Sequence, residues 1–474
     1  MIGLFGALDL ARRSMAAQMA GVETAGQNLA NMHTPGYSRQ RVNLQTGVAI
    51  ASGIGPQGTG VQAVSIQRIV DDLLNGRIQT QGGVQNYWTA QQSALQNAQA
   101  GLNEFLNNTG STDASTSTAT ATDANASLSA RLTGFFSAAQ TLTTANTPAN
   151  RQLLANAAQS LSTTFNDVSS QLASARTSIN TSITNDTDAA NKLLVNIADL
   201  NRQISSAEAS GGAANELRDR RDQHLESLAK LVNFTASSGV NGAVNVTVGG
   251  QTLVSGQTVA DTLQTDDAGG GQILIRTATG ATPVTPTSGS IAGAISARDT
   301  TLAAVQTKVD LLAGTFITQV NALHATGFNA NGTGGNSFFT GTNAATMAVN
   351  AALLADPSLI QTSGSATATA DNSVALAIAQ LADSSQAALG NQTFSHAYSA
   401  IVGGLGSAVK TANDAVDSQS AVTAFLSAQR NAVSGVSTDE EMTTLLGFQR
   451  AYTASAEVLK TVDQMIQTTL TLKQ

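Results

Sequence analysis

The stretch NLANMHTPGYSRQR, Asn28 to Arg41, decides how this chain is built. It stands where a long amphipathic N-terminal segment has to stop being a helix and become extended. Thr34-Pro35-Gly36-Tyr37 suits a type II turn, because Pro35 presets φ at the second position and Gly36 accepts a positive φ at the third. Pro35 also pushes Thr34 toward extended backbone and so closes the helix. Taken alone, such a tetrapeptide is an ordinary surface turn. The segments on either side give it more weight.

Upstream, Leu4, Leu8, Ala11, Met15, Gln18, Val22, Ala25 and Leu29 follow a 4-3-4-3 spacing with only Gln18 polar. This heptad seam fits a core helix and an oligomerising helix equally well. The far end of the chain repeats it. Leu445, Phe448, Tyr452, Ser455, Leu459, Val462, Ile466 and Thr469 form a second seam. Ser437 or Thr438 is its expected N-cap, and Asp439, Glu440 and Glu441 complement the macrodipole in its first turn. Each fully buried apolar side chain contributes about 1.5–3 kcal/mol, against ordering costs of about 1–2 kcal/mol per backbone residue. A lone pair of such helices is marginal. The expectation is that both ends are mobile in a single copy and order when neighbouring copies cover their outer faces.

The chain has 474 residues, enough for two to four domains, and 42% hydrophobic residues, enough for real cores. Charged residues are only 11% and aromatics 4%, a composition that favours long helices rich in small residues. A net charge of -8 supplies no basic field for nucleic acid or an anionic membrane. Cysteine is absent, which removes disulfides, thiolate nucleophiles and cysteine metal sites. Arg12-Arg13 follows the apolar Ile2–Leu10 rather than preceding it, and Gln18 and Glu23 interrupt what comes after, so neither a Sec nor a twin-arginine signal is expected. No apolar run approaches the eighteen or so residues of a membrane span. A soluble protein is expected, or one exported with its N-terminus retained.

Between the ends, Arg39–Ile50 and Gly60–Ile69 look extended. The glycine-rich Gly53–Gly60 between them matches GxGxxG, but Pro56 and a following strand point to a hairpin, not a dinucleotide fold. Helical patterns cover Val70–Leu106 and Leu128–Phe234, with breaks expected at Gly82-Gly83, at Thr147-Pro148, where Pro suits a first turn, and at Gly211-Gly212. Ser111–Ala126 is a Ser/Thr/Ala/Asp tract that reads as a flexible connection. The charges of NELRDRRDQHLESLAK, Asn215–Lys230, read as a solvated helix face. From Thr235 to Gly289 the period becomes 2: Val244, Val246 and Val248 alternate with polar residues, and Gly249-Gly250 supplies a turn. Helices return at Ile291–Ala325 and Phe394–Ser434, on either side of a Gly/Asn-rich loop at Gly327–Thr340 and a weakly periodic stretch at Leu353–Leu389. The predicted fold class is mainly α, discontinuous, with long paired coiled-coil-like terminal helices, a helical-bundle domain and an inserted small β domain. The expected domains are 1–34 with 438–474, then 35–234 with 291–437, and 235–290 as the β insertion.

Catalytic signals are missing. His33, His224, His324 and His396 have no metal-type spacing, and the 327–340 loop resembles a calcium loop without any carboxylate. There is no G-x-S-x-G elbow, P-loop or HExxH. No enzyme, cofactor or metal is expected.

Asn28-Leu29-Ala30-Asn31 followed by Thr34-Pro35-Gly36-Tyr37 resembles the N-terminal signature of bacterial flagellar axial proteins, and residues 439–470 are similar to that family's C-terminal helix. Ser38-Arg39-Gln40, LRDRRDQ at 217–223, HATGFNANG at 324–332 and FSHAYSAIVGGLG at 394–406 resemble its hook-associated junction members rather than rod or hook subunits. The resemblance implies a structural adaptor that joins hook to filament, a homo-oligomer in a helical tube with paired terminal helices innermost and the β domain at the surface. It further implies hook protein below, the second junction protein (hook-associated protein 3) above, an export chaperone on the C-terminal helix, no nucleic acid or membrane partner, and an extracellular flagellar location reached through type III export. Subunit contacts are expected from Leu4, Leu8, Met15, Val22, Leu29, Leu445, Phe448, Tyr452, Leu459, Val462 and Ile466. A hinge is expected at Asn28, Asn31, Thr34, Pro35, Gly36, Tyr37, Arg39 and Gln40, with Arg41 beside it and Tyr37 making the contact between copies. Family members carry a larger β-rich insertion after the loop, where Phe338–Phe394 here is short. The alternatives are another axial subunit of hook or rod, or, from a different class, a secreted adhesin or hydrolase.

Overall fold

The computed structural model describes residues 3–51, 55–101, 127–209, 211–269, 271–368 and 371–471. The Ser111–Ala126 tract, and Gly53 and Ile54 of the glycine-rich loop, lie outside them. The protein is mainly helical with small antiparallel sheets.

At one end α1 (Leu4–Ala30) packs along the last helix, α11 (Thr438–Thr471). The two run antiparallel in a seven-residue register. Asn28 meets Glu441, Gly21 lies under the Phe448 ring, and Ser14 hydrogen-bonds Ser455 at 2.9 Å. One heptad further along α11 comes Val462, its other buried residue besides Glu441. The stripe of α1 that is buried is made of Ala11, Ala17, Gly21, Thr24, Ala25 and Asn28. It shares Ala11 and Ala25 with the expected seam and differs from it elsewhere. Small side chains let the helices approach, while Leu8, Met15, Val22 and Leu29 stay only partly covered and Leu4 is exposed. On α11 the expected positions from Leu445 to Ile466 do form the less exposed side.

A two-stranded ribbon, β1 (Gln40–Thr46) and β2 (Val61–Arg68), pairs Gln40 with Arg68 and Thr46 with Val61 and lies back along α1. It is the expected hairpin.

The body is built on α4 (Pro148–Glu208), 61 residues and so about 90 Å long. Thr147 caps it by accepting from Asn150 N at 3.2 Å, and Pro148 occupies the first turn where its missing N–H costs nothing. An apolar stripe runs from Leu154 through Phe165 and Ile183 to Ile204 and is buried, whereas Leu153 and Val195 off the stripe are exposed. Around it pack α2 (Asp72–Gly101), α3 (Leu128–Thr144), α5 (Asn215–Leu231), α6 (Gly289–Ser296) and α7 (Ala303–His324), with a π-helical turn at Ala297–Leu302 between α6 and α7, and α10 (Phe394–Ser434) packs against α2, α7 and α3. Short helices α8 (Ala351–Ala355) and α9 (Ser373–Gln380) fill the weakly periodic stretch. Phe135, Phe136, Phe316, Phe338, Phe339 and Phe394 stack edge-on or tilted at the centre, Phe135 and Phe316 with centroids 5.2 Å apart. The expected break at Gly82-Gly83 does not occur. α2 runs straight through, and Gly83 instead leaves room for the end of α5, since a Cβ there would sit 2.9 Å from Ala229 O.

The period-2 region forms a four-stranded sheet of β3 (Thr235–Ser238), β4 (Val244–Val248), β5 (Gln251–Ser255) and β6 (Thr258–Val259), in that order, and a second pair, β7 (Leu263–Asp267) with β8 (Ile273–Thr277). Gly249 and Gly250, at φ 55° and 82°, make the tight turn between β4 and β5. Val246, Val248, Leu253, Val254, Leu263 and Ile275 belong to the same core as Ile183 and Leu194 of α4. The sheets therefore complete the helical core and do not enclose one of their own.

Candidate assembly joint

Two chain crossings connect the terminal helices to the body: residues 31–39, and residues 435–437 between α10 and α11. Thr34–Tyr37 makes the expected turn, with Tyr37 N donating to Thr34 O at 3.2 Å and Gly36 at φ 75°. Beside it Arg39 N donates to Ser434 O at 2.9 Å, which ties the two crossings together.

Asn28 is the centre of the joint. It is 1% exposed and uses all of its hydrogen-bonding capacity. Its amide nitrogen donates to Gln40 O at 2.8 Å and to Glu441 Oε2 at 3.0 Å. Its oxygen accepts from Tyr37 OH at 2.8 Å and from Gln40 N at 2.9 Å. One side chain thus joins α1, the turn, β1 and α11. Glu441 is buried and is neutralised by Arg39 Nε at 2.7 Å, while Arg39 Nη1 reaches Glu440 at 2.7 Å. Tyr37 is half-buried, and its phenol is pushed up to about 12 by burial and by the carboxylates of Asp219, Glu216 and Glu441. At neutral pH it is a donor. The expectation that Tyr37 serves as a contact between copies must accommodate this internal role. Arg41, Thr34, Pro35 and Gly36 are exposed, and Asn31 donates back to Gln27 O.

The helix α5 overturns the reading of its charges as a solvated face. Asp219 and Arg221 are buried. Asp219 accepts from Ser38 N at 3.0 Å and from Arg68 Nη1 at 2.6 Å, and Arg68 also holds Asp222 at 2.8 Å. Asn215 donates to Gln40 Oε1 and to Ile66 O, both at 3.0 Å; Gln223 donates to Pro35 O; Gln27 donates to Glu216 at 2.8 Å. On the other side Arg218 pairs with Glu208 at 2.7 Å through two nitrogens, and Arg221 donates to Asn201 Oδ1 at 3.0 Å and Gly242 O at 2.6 Å. Burial pushes the Asp219 carboxyl up, with Arg68 and the Ser38 amide opposing it, and Arg218 holds Glu208 below its ordinary range. So α5 grips the joint with one set of side chains and the body with another. The i, i+4 reading missed this because every decisive partner is remote in sequence. The available signal was the density of charge in this helix within a chain that is only 11% charged.

A cavity of about 420 Å³ lies between the turn, α5 and the end of α10, lined by Pro35, Tyr37, Asp219, Glu226, Lys230 and Arg430 among others. The histidines play no part in it. His324, wholly buried, accepts from Gln361 N at Nε2 (2.9 Å) and so donates from Nδ1 to Asn336 O (2.7 Å), which braces the 327–340 loop.

A model of the FlgK helical domain of flagellar hook-associated proteins matches residues 114–339, and a model of the C-terminal region of flagellar basal body rod FlgEFG proteins matches residues 427–472. Flagellar hook-associated protein 1 of Bacillus subtilis is 28% identical over 98% of both chains. The chain is similar to flagellar hook-associated protein 1 along nearly its whole length. The Salmonella typhimurium member is 25% identical over 98% of this chain and 99% of its own. The flagellar hook junction protein FlgK of Burkholderia pseudomallei has the same fold, with a TM-score of 0.61 at 19% identity over 77% of this chain and all of that one. Members of the hook-associated family are structural proteins of the flagellum, and this chain is not an enzyme. The two alignments span 515 and 579 positions against 474 residues here, so these relatives carry extra segments. The joint sits where the matched regions meet: Asp219 lies in the first, Glu441 in the second, and Asn28–Arg41 outside both.

Proposed function

We propose that the chain self-assembles at the hook–filament junction and joins hook to filament. Copies stack in a helical tube whose innermost layer is the α1–α11 pair. Hook protein lies below, the second junction protein, hook-associated protein 3, lies above, and an export chaperone holds the C-terminal helix before type III export to the extracellular flagellum.

The observation that carries this reading is the outer surface of the terminal helices. Leu4, Phe5 and Met19 on α1 and Met442, Leu446, Val458, Met465 and Leu470 on α11 are exposed, Phe5 at 80%. That much uncovered apolar surface on two long helices calls for neighbours. Leu4, Leu8, Met15, Val22, Leu29, Leu445, Tyr452, Leu459 and Ile466 then serve both the pair and its neighbours, whereas Phe448 and Val462 serve chiefly the pair. In this division α1, the β1–β2 ribbon and α11 form the inner module, the helical body lies outside it, and residues 235–290 face the surface. The joint fixes the angle between module and body, so that the inner tube continues across the boundary while the bodies resist bending.

Electron microscopy of purified hooks decorated with an antibody to residues 235–290 tests the placement. Label confined to the distal end of the hook is expected, and label along the hook shaft would contradict it.

A further inference from the structure

A groove of about 820 Å³ runs between the first turns of α2, the side of α5 and strand β3. One wall is the outer edge of the four-stranded sheet, since among the described residues β3 pairs only with β4. Gly239 N donates to Ala243 O at 2.8 Å, which makes Gly239 and Ala243 a hydrogen-bonded pair. The ladder alternates from there, so Ser237 with Asn245 and Thr235 with Thr247 exchange bonds as well. Ala236 and Ser238 therefore turn their N–H and C=O groups away from β4, toward the groove. All four residues of β3 are exposed, and none is the lysine or proline that guards an edge.

The opposing wall carries three guanidinium groups, of which two are already paired. Arg218 is held by Glu208, and Arg68 by Asp219 and Asp222. Arg221 is different. It is 4% exposed, its Nη1 is used on two neutral oxygens, and among the described residues no carboxylate bonds to it and its buried Nε has no hydrogen-bond partner. Buried cations are ordinarily paired. The carboxylates on the groove's lining are Asp222, which Arg68 holds, and Asp72 on the α2 side.

From this edge and this cation we infer that the groove is a docking site for an extended acidic segment of a partner protein. The segment adds a strand to β3 through the outward groups of Ala236 and Ser238, and one of its carboxylates settles on Arg221. Main-chain bonds supply affinity and the carboxylate supplies selectivity. The partner is a separate polypeptide, whose role is to bring the carboxylate that none of the described residues of this chain places there.

The test uses the full chain and two synthetic peptides, acetyl-TVEVT-amide and its Gln-centred counterpart acetyl-TVQVT-amide, titrated by fluorescence anisotropy and followed by amide exchange. The Glu peptide is expected to bind at least tenfold more tightly than the Gln peptide and to slow exchange at Ala236 and Ser238. Ala236→Pro, which removes an outward N–H and no ladder bond, is expected to abolish that difference while the thermal melting temperature stays put. Equal binding of the two peptides, or protection elsewhere than β3, would overturn the inference. So would slowed exchange at β3 when copies of this chain associate without peptide, which would make the occupant a second copy.

Discussion

Asn28 and Glu441, 413 residues apart in sequence, share a buried hydrogen bond of 3.0 Å, and this contact sets the register of the two terminal helices. From it the pairs Gly21 with Phe448 and Ser14 with Ser455 follow at seven-residue steps. Each end of the chain thereby defines where the other lies.

Asn28→Ala leaves Tyr37 OH, the Gln40 backbone and Glu441 short of partners. At about 1–3 kcal/mol for each buried group left unsatisfied, a loss of about 3 kcal/mol at the joint is expected. Asn28→Asp is more telling. It keeps both acceptor bonds but sets a carboxylate against Glu441, which raises the pKa of the pair. A raised folded-state pKa adds stability below the unfolded value of about 4 and loses it as pH rises through the folded value. Relative to the unaltered chain and after correction for intrinsic exchange rates, the aspartate variant should therefore show its lowest amide protection at 28–41 at neutral pH and recover on acidification. Recovery at alkaline pH instead would contradict the geometry.

Gly21→Ala and Gly26→Ala form a matched pair. A Cβ at Gly21 would lie 2.6 Å from the Phe448 ring, whereas nothing stands within 4 Å of one at Gly26. Overpacking of about 1–3 kcal/mol outweighs the gain of about 1 kcal/mol from helix propensity at the first site, and only the gain applies at the second. Amide exchange along α11 should quicken with the first substitution and slow with the second.

Asp219→Ala removes one anchor of Arg68 and that of the Ser38 amide. Asp222 still holds Arg68, so the cost is about 1–3 kcal/mol, chiefly for the buried Ser38 amide left without its acceptor. The substitution should free residues 31–39 for limited proteolysis well before the helical body melts. Cleavage no faster than in the unaltered chain would mean that α5 does not hold the joint.

His324 gives the body a pH limit. Burial lowers its pKa to about 4 from an ordinary 6.5, so folding favours the neutral ring. The unfolded chain binds the proton first as pH falls, and stability declines between about 6.5 and 4 by about 3 kcal/mol in all. Protonation would place an N–H at Nε2 facing the Gln361 N–H that it now accepts. Melting temperatures across that window should fall in the unaltered chain, and a flat profile would place the ring in water.

The sequence was readable where one residue type has one conformational use. Thr34-Pro35-Gly36-Tyr37, the Thr147-Pro148 helix start and the Gly249-Gly250 turn all rest on fixed or positive φ. The seam of α11 was readable because its apolar side chains are large. On α1 the contact runs over Ala17, Gly21 and Asn28, and a search for large apolar residues lands one position away. The clamp on α5 was illegible for another reason: Asp219 and Arg221 look like surface charge until Arg68, Ser38 and Gly242 are brought to them by the fold.

Deletion of the gene followed by electron microscopy of the cells tests the central claim most directly. An adaptor between hook and filament predicts cells with intact hooks, no attached filament, and flagellin shed into the medium. Filaments still attached to those hooks would contradict the account.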